Sequence, residues 1–358
     1  MTEWKTYKLS EVAEIKYGKD HKYLADGNIP VYGSGGVMRY ADKALYENES
    51  ILIPRKGTLS NLFYIDKPFW SVDTMFYTKI KDGTNGKFLF YLLKTMDLAS
   101  MNVGSAVPSL TTEILNKIEI NLPDIETQTE LSSILSTLDD KIELNLQMNQ
   151  TLENMARFIF KEWFVNTEKA AISNYILFNP SLSIKKDSHV KYVEMKDIPQ
   201  SGFSINSYVI RPFSAGSKFQ NFDTLFARIT PCLENGKTGL VDFLSNEEIG
   251  FGSTEFIVMR AKQDISPFYV CLLARDDNFR EFAKKSMVGT SGRQRVQTDL
   301  LNSFEVSKVD YNKMTDFNVI VESLFKKVKR NSEENQTLTQ LRDNLLPKLM
   351  TGKIEVKA

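Results

Sequence analysis

Two stretches of the chain match each other at one fixed offset of 186 residues, so the fold must be built twice. Asn149-Gln150-Thr151-Leu152 recurs as Asn335-Gln336-Thr337-Leu338, with Asn145 matched by Asn331, Lys141 by Lys327 and Leu138 by Leu324. Upstream, Thr112-Glu113-Ile114-Leu115-Asn116 returns as Thr298-Asp299-Leu300-Leu301-Asn302, and Glu119 as Glu305. Repeats of about 20–50 residues mark solenoids or propellers, whereas a period this long marks two copies of a whole domain. The chain therefore reads as head, helix, head, helix.

At 358 residues there is room for two or three domains, each with its own core. No apolar run is long enough to span a bilayer, and Met1-Thr2-Glu3-Trp4-Lys5 is not a basic-then-apolar signal segment, so export is not expected. The two cysteines, Cys232 and Cys271, and the two histidines, His21 and His189, cannot assemble zinc or iron–sulfur spacing. They read as reduced, buried thiols of a cytoplasmic protein. Net charge is zero, which argues against a simple basic nucleic-acid coat. Residues 124–166 carry eight acids against three bases, and residues 311–358 six against nine, so the two helical regions should attract each other weakly.

Those regions carry a heptad seam. Alternating steps of four and three give Leu131, Leu135, Leu138, Ile142, Asn145, Asn149, Leu152, Ala156, Ile159 and Trp163. The second copy gives Phe317, Val321, Leu324, Val328, Asn331, Asn335, Leu338, Arg342, Leu345 and Leu349, with Arg342 the one departure. Each seam has a central asparagine pair, a device that lowers stability but fixes register. A helix from about Glu126 to Phe164 would be roughly 57 Å long, at about 1.5 Å per residue. That exceeds the roughly 34 Å between successive major grooves on one face of DNA. Helix one leads away from the first head and helix two must lead back, so the pair is expected to be antiparallel. Pro347 is expected to kink or end the second helix near its last turn.

Each head mixes short strands with turns. In the first, Glu49 to Pro54 reads as a strand running into Arg55-Lys56-Gly57-Thr58, with further strands at Asn61–Ile65 and Thr74–Thr78 and a helix opening at Phe88. The second repeats the order at Thr224–Arg228, Gly239–Phe243, Glu255–Met259 and Phe268–Leu273. Loop chemistry differs between the copies. Arg55-Lys56-Gly57-Thr58 stands against Arg228-Ile229-Thr230-Pro231, and Ser105-Ala106-Val107-Pro108-Ser109 against Ser291-Gly292-Arg293-Gln294-Arg295. Equal frames with different loops suit two modules that read different things.

Ile29-Pro30-Val31-Tyr32-Gly33-Ser34-Gly35-Gly36, Ile53 to Thr58, Leu122-Pro123-Asp124-Ile125-Glu126-Thr127-Gln128 and the closing Leu345 to Gly352 resemble type I restriction-modification specificity subunits. The resemblance covers nearly the whole chain in the family's order; the second head departs at its start, where Tyr192 to Ile198 replaces the glycine-rich segment. It implies an α+β fold of two similar mixed α/β target-recognition domains, joined by two long antiparallel coiled-coil helices with internal pseudo-two-fold symmetry. The expected divisions are 1–123, 124–168, 169–310 and 311–358. It further implies a non-catalytic DNA-reading subunit that positions two adenine-methylating modification subunits on a bipartite, asymmetric target, with nuclease subunits joining for restriction. S-adenosylmethionine, ATP and magnesium then belong to the partners. The other classes left open are an autonomous DNA-binding module serving another effector and a coiled-coil scaffold.

Intrinsic chemistry finds little support. Asn179-Pro180-Ser181-Leu182 lacks the second proline and aromatic of an adenine-methylase motif and reads as a strand-entry turn. Gly236-Lys237-Thr238 lacks the first glycine of a phosphate loop and reads as a hairpin turn or a DNA-backbone contact. Because arginine reads guanine and asparagine or glutamine reads adenine, the DNA-contact candidates are Arg55, Lys56, Ser60 and Asn61, then Arg228, Asn235, Lys237, Arg293, Gln294 and Arg295. If the rod sets target spacing, inserting or deleting a heptad around Leu146 to Gln150 changes the spacer and leaves both half-sites unaltered. Methylation mapping that shows altered bases within a half-site would contradict this.

Overall fold

The computed structural model describes residues 3–101, 108–165, 168–205, 207–290 and 292–354. Two compact units emerge, one of Met1–Ile142 with Thr337–Ala358 and the other of Glu143–Gln336. Each unit thus takes one head with a part of each long helix.

In the first unit β1 (Lys5–Lys8) and α1 (Leu9–Val12) lead into β2 (Ala13–Tyr17), β3 (Ile29–Gly33), β4 (Gly36–Ala41), β5 (Ser50–Pro54), β6 (Phe63–Ile65), β7 (Trp70–Ser71) and β8 (Met75–Ile80). Then come α2 (Gly86–Lys94), α3 (Thr112–Asn116), β9 (Glu119–Leu122) and the start of α4 (Ile125–Trp163). The strands form sheets ordered β2-β8-β5-β6, β4-β3-β7 and β1-β9.

The second unit continues from α4 with β10 (Lys169–Ala171), β11 (Ile176–Phe178), β12 (His189–Val193), β13 (Val209–Pro212), β14 (Ser217–Gln220), β15 (Thr224–Ala227), β16 (Thr238–Leu240), β17 (Ile249–Gly252) and β18 (Phe256–Ala261). It closes with α5 (Pro267–Ala274), α6 (Asp277–Lys285), β19 (Met287–Val288), β20 (Arg295–Val296), α7 (Thr298–Leu301), β21 (Glu305–Ser307) and α8 (Tyr311–Met350), whose last part belongs to the first unit.

The second unit repeats the sheets of the first, with additions. Its sheet β11-β18-β15-β16 copies β2-β8-β5-β6, and β10-β21 copies β1-β9. The departure at Tyr192 leaves the topology intact: β12 pairs antiparallel with β13 and parallel with β17, just as β3 pairs with β4 and β7. The second copy adds β14 at its edge. Matching backbone hydrogen bonds identify equivalent positions. Leu9 N–H donates to Ile118 O and Ile172 N–H to Phe304 O, while Leu110 N–H donates to Arg55 O and Val296 N–H to Arg228 O. The offset therefore grows from 163 residues at Leu9/Ile172 through 173 at Arg55/Arg228 to 186 at Leu110/Val296. Extra residues in the second head's loops produce this drift, which hides the repeat from any fixed-offset reading of its first half.

The helices start at equivalent caps. Asp124 Oδ1 accepts Thr127 N–H at 2.8 Å, and Asp310 Oδ1, at the same place in the repeat, accepts Asn312 N–H at 2.9 Å. A carboxylate there satisfies free amide donors and faces the positive end of the helix dipole. The thirty-nine residues of Ile125–Trp163 match the expected first helix to within a residue at either end. The second ends within a turn of Pro347, in keeping with that proline's expected place near the last turn. The helix runs on to Met350, because the missing N–H falls in the last turn, where the carbonyl four residues back belongs to the exposed Asp343.

Every predicted seam position is buried or half-buried. In the first unit Leu131 and Leu135 join Leu345, Leu346, Leu349 and Met350 beneath β5 and α2, and Leu138, Ile142 and Leu338 are half-buried. Arg342, the polar exception, donates from Nη1 to Asp139 Oδ1 at 2.7 Å, and Tyr91 Oη donates to the other oxygen at 2.7 Å. In the second unit Ala156 and Phe160 pack with Phe317, Val321, Val328's neighbour Phe325, and α5, while Leu152 and Leu324 are half-buried.

Also in the second unit, the seam amides pair across the two helices. Asn145 Nδ2 donates to Asn335 Oδ1 and to Glu334 Oε2, each at 2.9 Å, and Asn331 Nδ2 donates to Asn149 Oδ1 at 2.8 Å. Partners whose numbers rise on one helix as they fall on the other define antiparallel segments. Asn145 and Asn331 are essentially without solvent exposure. A heptad slip would strand these amides among leucines. Asn331→Leu is expected to destabilise the chain by about 1–3 kcal/mol by orphaning the Asn149 amide, while Asn149→Leu/Asn331→Leu recovers most of that loss. Denaturant unfolding of the four chains tests this, and a double variant no better than the sum of its singles would refute it.

Candidate nucleic-acid interface

In the first unit β5 is buried along its whole length, and Arg55 is the first side chain to leave the sheet. Its N–H donates to Thr74 O and its carbonyl accepts from Leu110, while Lys56 bridges to Ser109. The backbone beneath Arg55 is thus fixed from both sides. Its Nη1 donates to Asp73 O at 3.1 Å, and the guanidinium lies 5.5 Å from the ring centre of Tyr17. Gly57 turns the chain at φ +90°, and a Cβ there would meet Ser34 Oγ at 3.2 Å. Lys56 and Ser60 are exposed. Asn61 is half-buried, and its Nδ2 donates to Ser34 O at 2.7 Å, which ties the loop to the β3–β4 hairpin.

The same frame recurs in the second unit with other side chains. Arg228 N–H donates to Glu255 O, its carbonyl accepts from Val296, and Ile229 bridges to Arg295. Gln294 is held by Thr230 through both its carbonyl and its N–H. Strands β19 and β20 pair antiparallel as the arms of a β-hairpin, and Arg293, two residues before Arg295, is exposed. Arg295 grips Glu255 with one edge of its guanidinium: Nε lies 2.9 and 3.0 Å from the two carboxylate oxygens, and Nη2 lies 2.7 Å from Oε1. Arg228 Nε is 4.0 Å from the same carboxylate.

The structure therefore brings Arg228, Gln294 and Arg295 together, with Arg293 exposed beside them in the chain. Asn235 is exposed on the β15–β16 connection, whereas Lys237 is turned inward, its Nζ donating to Met195 O at 2.6 Å. The Gly236-Lys237-Thr238 segment does make the expected turn, but its ammonium holds the backbone of the Met195 segment. Asn179-Pro180 follows β11, so it is a strand-exit turn and not a strand-entry one. Asn179 has φ +49°, and its Oδ1 accepts from Val258 N–H at 2.9 Å. Ser105, Ala106, Val107 and Ser291 lie outside the described residues.

Two features went unread in the sequence. Glu255 sits forty residues from Arg295, at a strand start with no local signal. Arg211 lies 3.9 Å above the Tyr192 ring, on a strand whose partner was not recognised. As for intrinsic chemistry, Cys271 is buried and its thiol is pushed up to about 12, a poor nucleophile. Cys232 is half-buried, not buried as expected, and both thiols are free. Among the described residues no cluster of three histidine, cysteine or acidic side chains could hold a metal, and no helix is long and apolar enough to cross a membrane.

Residues 1–154 match the model of the type I restriction modification DNA specificity domain. Over 99% of its length the chain is 24% identical to the type I restriction enzyme MjaIX specificity subunit of Methanocaldococcus jannaschii, covering 94% of that protein. It is 22% identical, again over 99% of its length, to all of the HindI specificity subunit of Haemophilus influenzae. The crystal structure of a type I restriction-modification S subunit from M. genitalium shares the fold, with a TM-score of 0.66 over 97% of this chain and 96% of that one at 16% identity. The resemblance read from the motifs thus extends along the whole chain.

The two candidate lysines separate structural from surface roles. Lys237→Ala leaves a half-buried carbonyl without its donor and is expected to cost about 1–3 kcal/mol. Lys56→Ala, at an exposed position, stays within about 0.5 kcal/mol of the parent. Thermal or denaturant unfolding distinguishes them, and equal losses would contradict the assignment.

Proposed function

We propose that this chain is the DNA sequence-specificity subunit of a type I restriction-modification complex. Each head reads one half of a bipartite, asymmetric target, and the antiparallel coiled-coil helices dock two methylase subunits and set the spacing between half-sites. The observation that carries this reading is the repeated platform. Arg55 and Arg228 leave equivalent backbone positions, each braced by a strand on one side and by the segment entering α3 or α7 on the other, yet their surroundings differ in charge and shape. A fixed frame with exchanged side chains is what two readers of different sequences require.

On this reading the chain has no catalytic role of its own and works in the cytoplasm. S-adenosylmethionine serves the methylase subunits, while ATP and magnesium serve the nuclease subunits. Exposed Lys56, Ser60, Asn235 and Arg293 are suited to phosphate or base-edge contact, and the braced Arg55, Arg228 and Arg295 to base readout. The relatives' names as restriction-enzyme specificity subunits support the same role.

Mapping methylated adenines in cells with and without the chain tests the proposal. Deletion is expected to abolish methylation at one asymmetric bipartite motif, and the tagged chain is expected to co-purify a methylase subunit. Unchanged methylation would point instead to an autonomous binding module or a scaffold. Lys56→Ala should weaken binding of the assembled complex to all duplexes alike and lower its salt dependence by about one unit.

A further inference from the structure

We infer that Glu255 is a positioning residue for reading the second half-site, its carboxylate fixing Arg295 so that the remaining donor edge of the guanidinium faces a guanine. This rests on the reading of the chain as a DNA-specificity subunit. A guanidinium has five N–H donors in one plane. Glu255 occupies Nε and one hydrogen of Nη2, at 2.7–3.0 Å. That leaves Nη1 and the other Nη2 hydrogen, a parallel pair that matches O6 and N7 of guanine.

The backbone on both sides of this ion pair is itself held. Glu255 N–H donates to Ser253 Oγ at 3.2 Å, its carbonyl accepts from Arg228, and the Arg295 backbone is bridged to Ile229. Three chain segments thus meet at one node, with Glu255 between two arginines. The node keeps a net single positive charge, so it can still approach DNA. An exposed ion pair by itself adds little stability, whereas restricting a long side chain before binding removes entropy that recognition must otherwise offset.

The first unit lacks this brace. Thr74 stands at the place of Glu255 and Ser109 at that of Arg295, and Arg55 rests on the Asp73 carbonyl and the Tyr17 ring instead. The effect of Glu255 is therefore confined to the second half-site.

The test uses the full chain assembled with its methylase subunits in cells, with adenine methylation mapped for Glu255→Gln, Glu255→Asp, Arg295→Ala and Arg228→Ala. Glu255→Gln is expected to relax the same base position as Arg295→Ala, lowering discrimination there by about 5- to 150-fold. The first half-site should be unchanged, and Glu255→Asp should fall between parent and Gln variant. If Arg295→Ala relaxes a position and Glu255→Gln does not, the inference fails while the DNA reading stands. A uniform loss at every site with an unchanged base profile marks a merely structural role and also overturns it. If no arginine variant alters the motif, the hairpin is not at the DNA and the inference falls. If methylation does not depend on the chain at all, the proposed function itself falls.

Discussion

Below the main sheet of each unit, the core is closed by two helical segments that lie far apart in the chain. Leu131 and Leu135 meet Leu349 and Met350 in one unit, and Ala156 and Phe160 meet Met314, Phe317 and Val321 in the other. Neither long helix could stand alone, because each has a narrow apolar stripe and a largely charged remainder. Neither head could either, since its inner sheet face and α2 or α5 would expose their leucines and phenylalanines. Burying such side chains is worth about 1.5–3 kcal/mol each, so the closing segments are part of each unit's folding unit rather than an appendage.

This dependence explains which parts of the fold were legible. The seam and the α3–β9 segment answer to short-range rules, so they repeat in register, and the helical period gives the ends of the first helix to within a residue. The start of each head answers to strand pairing across long loops. There the second copy gained residues, its offset fell to 163 at Ile172, and the glycine-rich opening was replaced by one of different sequence. The parallel pairing of β12 with β17 is nevertheless the same as that of β3 with β7. Topology persisted where sequence similarity did not, because the pairing rests on backbone groups that any sequence supplies.

The candidate residues were legible by type but not by partner. Arg55 and Arg228 proved structurally equivalent because each follows a strand that the pattern of apolar residues marks clearly. The inward turn of Lys237 and the tether of Asn61 could not be foreseen. Their acceptors, the carbonyls of Met195 and Ser34, are backbone atoms that any sequence supplies. Glu255 was missed for a related reason, since an ion pair that spans forty residues has no local spacing to betray it.

The neutral net charge, which argued against a basic coat, fits this arrangement. A protein that binds chiefly through phosphate neutralisation needs a broad excess of lysine and arginine, and it pays for that excess in indiscriminate affinity. Here two of the candidate cations are braced, Arg55 by a ring and a carbonyl and Arg295 by a carboxylate. A carboxylate beside DNA opposes attraction to every sequence alike, yet orienting one guanidinium favours a single base. On the proposed reading, the node built on Glu255 gives up general affinity for selectivity.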